Sequence, residues 1–293
     1  RDQIPLTEEE DKVDKITSTF FNIMKPKVGD RRIMGLCIII PGIIDAENKR
    51  ILSTVIGVGY SDPVVQRFEE AFHDYPFCLL NDTACFAYAE YVFANITEPN
   101  FAYINVSKGV GACLFANGKM LRGAGSNATQ FGHFSVDRNG PLCACGNHGC
   151  VERVVGENAL TERAEACGID LTRFAGRKPL YCDIGAMAED GDAHAKELIK
   201  DLAVDLSFAI SNLITLFNPS LVVIGGMGVN LGPFFLSNIR DEVQNSGFKE
   251  FVSNTWIQYS TLGLDSELGG AARYYIDHYY DFFEQMQGGL YAD

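Results

Sequence analysis

Cys143-Ala144-Cys145-Gly146-Asn147-His148-Gly149-Cys150, with His133 upstream of it, is the segment of this 293-residue chain from which the rest can be read. Three thiols and an imidazole in this spacing point to a metal, because zinc takes four N or S ligands in a tetrahedron. Cys143 and Cys145 stand too close in sequence for a comfortable disulfide. Gly146 and Gly149 let the loop turn back, so that Cys150 can face the same centre. The bland alternative is three reduced thiols in a loop, yet polar glycine-rich loops rarely collect cysteines for packing. Four protein ligands leave no position for water, so the zinc is read as structural.

The composition bounds the remaining choices. Hydrophobic residues make up 47% and charged residues 21%, as in ordinary globular chains. The longest apolar runs, such as Leu36–Ile40 and Leu221–Ile224, fall far short of the ~20 residues of a membrane span. No leader or lipidation motif is evident. Nine cysteines, an odd number with six of them scattered outside the loop, suit a reducing cytoplasm better than a disulfide framework. A net charge of -14 repels nucleic-acid phosphates, so DNA contact would need a segment outside this chain.

Along the chain, helical and strand patterns alternate, which gives the α/β class. Residues 7–24 read as an amphipathic helix, with Thr7 and Glu10 as a capping box. Ile33–Ile40 reads as a buried strand ended by Pro41-Gly42. Phe77–Leu80 reads as a strand that reaches Asn81-Asp82, with helices over Val64–Phe72 and Ala84–Ala94 on either side. Phe101–Val106 and Gly111–Ala116 pair across a tight turn, and Asn117-Gly118 signals a hairpin. Helices are expected over Glu157–Ala166, Ile184–Asp190, Ala193–Leu216 and Ser266–Tyr280, with a buried strand at Leu221–Ile224.

Some junctions could carry chemistry. Asp82 lies where a strand gives way to a helix, a place where α/β sheets bind ligands, and could accept a proton from a hydroxyl. Its plain alternative is a helix N-cap. Ser107-Lys108-Gly109-Val110-Gly111 could cradle a phosphate or be only a hairpin turn. Gly225-Gly226 follows a strand and would permit close approach of a nucleotide. If one nitrogen of His133 holds the metal, the other can position a substrate hydroxyl, with Glu152 nearby.

In order along the chain, Ile40-Pro41-Gly42-Ile43-Ile44-Asp45, Asn81-Asp82, Gly109-Val110-Gly111-Ala112, Asn117-Gly118, Phe131-Gly132-His133, the cysteine loop with Glu152, Asn218-Pro219 through Gly226, and Leu268-Gly269-Gly270-Ala271-Ala272 resemble the ROK family of repressors, open reading frames and sugar kinases. The resemblance is strongest to its sugar-responsive repressors of the N-acetylglucosamine type. It implies an actin-like, ribonuclease H-like fold of two lobes with a zinc loop. The small lobe would be 1–97 with 273–293, incomplete at its start, and the large lobe 98–272. It implies zinc on His133, Cys143, Cys145 and Cys150, a sugar site of Pro41, Gly42, Asn81, Asp82, Gln130, His133 and Glu152, and homodimers or homotetramers.

The departures from the kinase pattern shape the functional expectation. Asp-x-Gly-Gly-Thr, which positions ATP phosphates in the kinases, does not occur in this sequence. The phosphate turn reads Ser107-Lys108-Gly109 rather than Gly-Thr-Gly, Gln130 stands where kinases carry Glu, and Met227 follows Gly225-Gly226 where a further Gly is common. The expectation is an effector-binding and oligomerisation region of a sugar-responsive regulator, with its DNA-reading part upstream of Arg1. The alternative is an ATP- and Mg-dependent sugar kinase with Asp82 as base and Lys108, Gly109, Gly111, Gly225 and Gly226 at the nucleotide. The effector would be a sugar or sugar phosphate, and Lys108 and Arg122 are candidate phosphate partners.

Overall fold

The computed structural model describes residues 11–45, 49–54, 63–124 and 128–280. The Thr7–Glu10 capping box lies outside these residues. The first described helix, α1 (Lys12–Thr19), is instead capped by Asp11, whose carboxylate accepts from the amides of Val13 and Asp14. It runs on through a π turn, Phe20–Met24, into α2 (Lys25–Val28). The wider turn precedes Pro26, a residue that cannot donate to the helical ladder.

Strands β1 (Leu36–Ile40), β2 (Gly42–Asp45) and β3 (Arg50–Thr54) follow, then α3 (Val64–Ala71), β4 (Phe77–Asn81) and α4 (Asp82–Phe93). β1 is shorter than the sequence suggested, and its partner β4 runs parallel to it. β2 and β3 form a separate antiparallel pair. Phe20, Phe68, Phe72, Phe77 and Leu79 are buried together between these elements. Arg67 of α3 ties down the start of α1 through Asp11 and Asp14.

The second sheet has the order β7-β6-β5-β8-β9, built from β5 (Phe101–Val106), β6 (Val110–Ala116), β7 (Lys119–Met120), β8 (Leu221–Gly225) and β9 (Trp256–Tyr259). β5, β8 and β9 pair in parallel, while β6 runs antiparallel to both of its neighbours, β5 and β7. Asn117 and Gly118 both take positive φ, 53° and 73°, as the tight β6–β7 turn demands. Between β7 and β8 lie α5 (Val151–Val155), α6 (Glu157–Ala166), α7 (Tyr181–Glu189) and α8 (Ala193–Phe217).

α8 buries Leu198, Leu202, Leu206, Ile210 and Leu213 against one face of the sheet, at the spacing of a helical stripe. Each fully buried Leu or Ile contributes roughly 1.5–3 kcal/mol. Its other side leaves Val204, Phe208 and Leu216 exposed. Asn218 ends the helix in the left-handed conformation, just before Pro219. The chain closes through α9 (Gly232–Gln244), α10 (Lys249–Val252) and, after β9, α11 (Ser266–His278).

α11 packs on α4 across the opposite face of the sheet. Their closeness depends on Gly270, where a Cβ would stand 2.0 Å from the carbonyl oxygen of Cys85. Tyr274 and Tyr88 meet edge to face in the shared core. At the next residue, the Tyr275 hydroxyl donates to the Met34 carbonyl, so the last described helix holds the entry to the first strand.

Candidate sugar cleft and metal cluster

The strand-to-helix junction forms as its residues require. Asn81 caps α4 by accepting from the Ala84 amide, while its Nδ2 donates to the Gly42 carbonyl at 2.6 Å and to Asp82 Oδ1 at 3.0 Å. The helix-capping alternative therefore applies to Asn81, and Asp82 is the first residue of the helix. Burial pushes the Asp82 carboxyl up, against the opposing hydrogen bonds from Thr83 and Asn81.

This junction opens onto a cleft of about 120 Å³, walled by Gly42, Asn81, Thr83, Gly111, Gln130 and Tyr274 among others. Of the predicted sugar-site residues, Gly42, Asn81 and Gln130 line it directly. Asp82 touches it through Asn81. Glu152 does not line it, and its carboxylate lies so near Gly109 that a Cβ there would stand 2.5 Å from Oε2. Gly111 is required for a similar reason, facing the Thr83 hydroxyl at 2.5 Å from its would-be Cβ. His133 faces an adjoining apolar groove with Phe134, Leu213 and Leu216.

The metal residues come together. His133, Cys143, Cys145 and Cys150 place their ligand atoms within 4.8 Å of one another. His133 Nδ1 lies 3.6 Å from Cys143 Sγ, and Cys145 Sγ lies 3.6 Å from Cys150 Sγ. Two sulfurs bound tetrahedrally at a metal–sulfur distance of about 2.3 Å stand about 3.8 Å apart, so the donor types and their closeness fit a metal ion with at most small side-chain adjustment. The exposed Cys145 thiol is held below its ordinary range, chiefly by the Asn147 amide, whereas burial and the neighbouring thiols push Cys150 up to about 12. Gly132 lets this loop lie on β6, since a Cβ there would sit 1.8 Å from the Val110 carbonyl oxygen.

Of the predicted phosphate residues, Gly111 and Arg122 line the cleft, whereas Lys108, Gly109, Gly225 and Gly226 do not. Lys108 is exposed. Ser107 Oγ accepts from the Met227 amide at 3.2 Å and donates to Asn105, so this turn is stitched to Gly226-Met227 from within. Gly226 borders a second pocket with Phe86, Tyr103 and Ser260. Sequence reasoning missed Thr83, Thr129 and Tyr274 as cleft residues. The position of Thr83, directly after Asn81-Asp82, was the available signal, and nothing in α11 marked Tyr274.

The family model for the ROK family matches residues 2–277. The chain belongs to the ROK family. Similar ROK relatives include the xylose repressor of Bacillus subtilis, 26% identical over 250 residues that cover 85% of this chain and 62% of the repressor. The N-acetylglucosamine repressor of Escherichia coli is 28% identical over 249 residues, 83% of this chain and 60% of that protein. The chain thus spans about three fifths of the length of these ROK repressors.

Among solved structures, a ROK family transcriptional regulator described as a homologue of the Escherichia coli Mlc protein superposes with a TM-score of 0.75 at 24% identity, covering 89% of this chain and 67% of that one. A ROK family glucokinase from Streptomyces griseus, in complex with glucose and AMPPNP, gives 0.74 at 23%, covering 89% and 87%. These likenesses establish the mixed α/β, actin-like fold. No helix among the described residues is long and apolar enough to cross a membrane.

Proposed function

We propose that this chain is the effector-sensing and self-associating region of a sugar-responsive transcriptional regulator. The observation that carries the reading is an open cleft at Asn81-Asp82 beside a phosphate turn closed by its own side chain. The Met227 amide, which a nucleotide phosphate could use, is taken by Ser107. Similarity to sugar-responsive repressors supports it further. Pro41, Gly42, Asn81, Asp82, Gln130, His133 and Glu152 would contact or position the sugar. Zinc would sit on His133, Cys143, Cys145 and Cys150, fixing the loop that carries Gln130 and Glu152.

The lobes would be 1–97 with 273–293, and 98–272. The separate core around Phe20, Phe68 and Phe72 supports the first of them. Sugar binding would shift the lobes, through different affinities for two arrangements, and so bias a DNA-binding segment outside this chain. Val204, Phe208 and Leu216, exposed along α8, suit a homodimer or homotetramer in the cytoplasm.

The kinase reading keeps one observation in its favour, the enclosed Asp82 hydrogen-bonded to the cleft residue Asn81, a group that could deprotonate a sugar hydroxyl. Calorimetric sugar titration together with an ATP-turnover assay separates the two. Sugar binding without turnover supports the regulator. Sugar-dependent ATP consumption that Asp82→Asn abolishes would install the kinase, with Gly109, Gly111, Gly225 and Gly226 at the nucleotide.

A further inference from the structure

We infer that Cys37 and Cys78 are a modification site, a dithiol that a hydroperoxide converts to a disulfide, clamping β1 to β4 just behind the cleft. The two residues stand directly opposite each other in the parallel register of these strands. Their Sγ atoms lie 3.7 Å apart. Neighbouring strands run about 4.8 Å apart, inside the roughly 4.4–6.8 Å that a disulfide spans between its Cα atoms. Closure therefore asks for side-chain rotation rather than backbone movement. Outside the metal cluster, no other two thiols among the described residues are in hydrogen-bond contact.

The pair is asymmetric in the way a two-step oxidation requires. Cys37 is half-buried, within reach of a small oxidant, whereas Cys78 is buried. The hydrogen bond from Cys78 holds the Cys37 thiol below its ordinary range, against the effect of burial. That same bond, with burial, pushes Cys78 up. Cys37 is thus the sulfur that ionises and attacks, and Cys78 keeps its proton. In the first step the Cys37 thiolate forms an S–O bond to the peroxide, the O–O bond breaks, and the leaving oxygen takes a proton and departs as water or an alcohol. In the second, the Cys78 sulfur attacks the Cys37 sulfenic acid, the S–S bond forms, the S–O bond breaks, and the hydroxyl leaves as water with the Cys78 proton. Two electrons pass from the two sulfurs to the peroxide.

The position of the pair gives the bond a consequence. Along the same register, three residues further on, Ile40 stands opposite Asn81. Asn81 Nδ2 donates to the Gly42 carbonyl, and both residues line the cleft. A cross-link at Cys37 and Cys78 holds together the two strands that deliver these groups. It also takes the Cys37 thiol proton away from the Ala271 carbonyl on α11, 3.4 Å distant, three residues before the cleft residue Tyr274. The inference does not depend on which molecule the cleft takes.

The test treats the intact, metal-replete protein with rising amounts of hydrogen peroxide until the exposed Cys182 is oxidised, then blocks the remaining thiols and maps peptides by mass spectrometry. Cys37 and Cys78 should appear joined, and dithiothreitol should separate them. In Cys78→Ser, the Cys37 sulfenic acid should persist and be captured by dimedone; in Cys37→Ser, Cys78 should remain a thiol. Amide hydrogen exchange across residues 79–84 should slow about tenfold or more in the oxidised protein and recover on reduction. If both cysteines stay reduced when Cys182 is oxidised, or if Cys37 joins Cys85 instead, the site is refuted. A disulfide that leaves the exchange unchanged would overturn the clamp. The wild-type peptide map decides the site even if the variants do not fold.

Discussion

Replacing Gly132 by Ala should cost the protein its metal and its sugar together. The new Cβ would stand 1.8 Å from the Val110 carbonyl oxygen, and bringing that approach out to 3.0 Å requires about 1.2 Å of movement. The obstacle is backbone on β6, where Val110 pairs with Val106 of β5, so the loop should move more readily than the sheet. Gly132 immediately precedes His133, and metal ligands tolerate only about 0.2 Å of error. The displacement is several times larger than that tolerance. Overpacking alone should destabilise the fold by about 1–3 kcal/mol. Zinc per chain, measured by mass spectrometry on purified protein, should drop well below one equivalent, and sugar affinity should fall with it. Gly263→Ala is the control, because nothing lies within 4 Å of its would-be Cβ. Full zinc occupancy and unchanged affinity in Gly132→Ala would refute the claim that this contact sets the loop.

Cys145→Ser should likewise lose zinc and weaken sugar binding, since it removes one of the four clustered donors; equal metal content in variant and wild type would argue against the site. Ile210→Ala, at a fully buried position on α8, should cost about 2–5 kcal/mol in a denaturant titration, whereas Phe208→Ala on the exposed side of the same helix should stay within about 0.5 kcal/mol for the monomer. Asp11 is held at about 2, below its ordinary 3.8, chiefly by Arg67. The folded-state value is the lower one, so its contribution is complete above 3.8 and is lost as pH falls through about 2. Hydrogen exchange across α1 should therefore rise in that window in wild type, and the pH-dependent step should be absent from Arg67→Ala.

The clearest parts of the fold in the sequence were those where several local signals agreed. β4, Asn81-Asp82 and α4 combine an apolar run, a capping residue and a helical pattern within a short span, and the structure reproduces that order. α8 carries a continuous stripe and a stop at Asn218-Pro219. The thiol loop was legible because its residue types have few other uses. β9 was not, because its four residues include an exposed Trp256 and a single buried Ile257, too little for a period to show. α9 had a usable signal, with Pro233 in its first turn and Phe235, Ile239 and Val243 spaced along one face, but that signal is easily overlooked between glycines. The cleft was half legible. Its Asn81 wall lies within one motif, whereas Arg122 and Tyr274 come from distant parts of the chain and meet only through tertiary packing.

The hydrogen bond from Tyr275 to Met34 joins residues 241 positions apart. During synthesis, the strand that begins just after Met34 leaves the ribosome long before the helix that secures its entry exists. Its partner β4 emerges early, but the α11 face that covers both comes much later. This pair of strands therefore waits until α11 has been synthesised before it can close. A nascent chain stalled before Ser266 should present Cys37 and Cys78 to a thiol reagent, while the released protein shields Cys78.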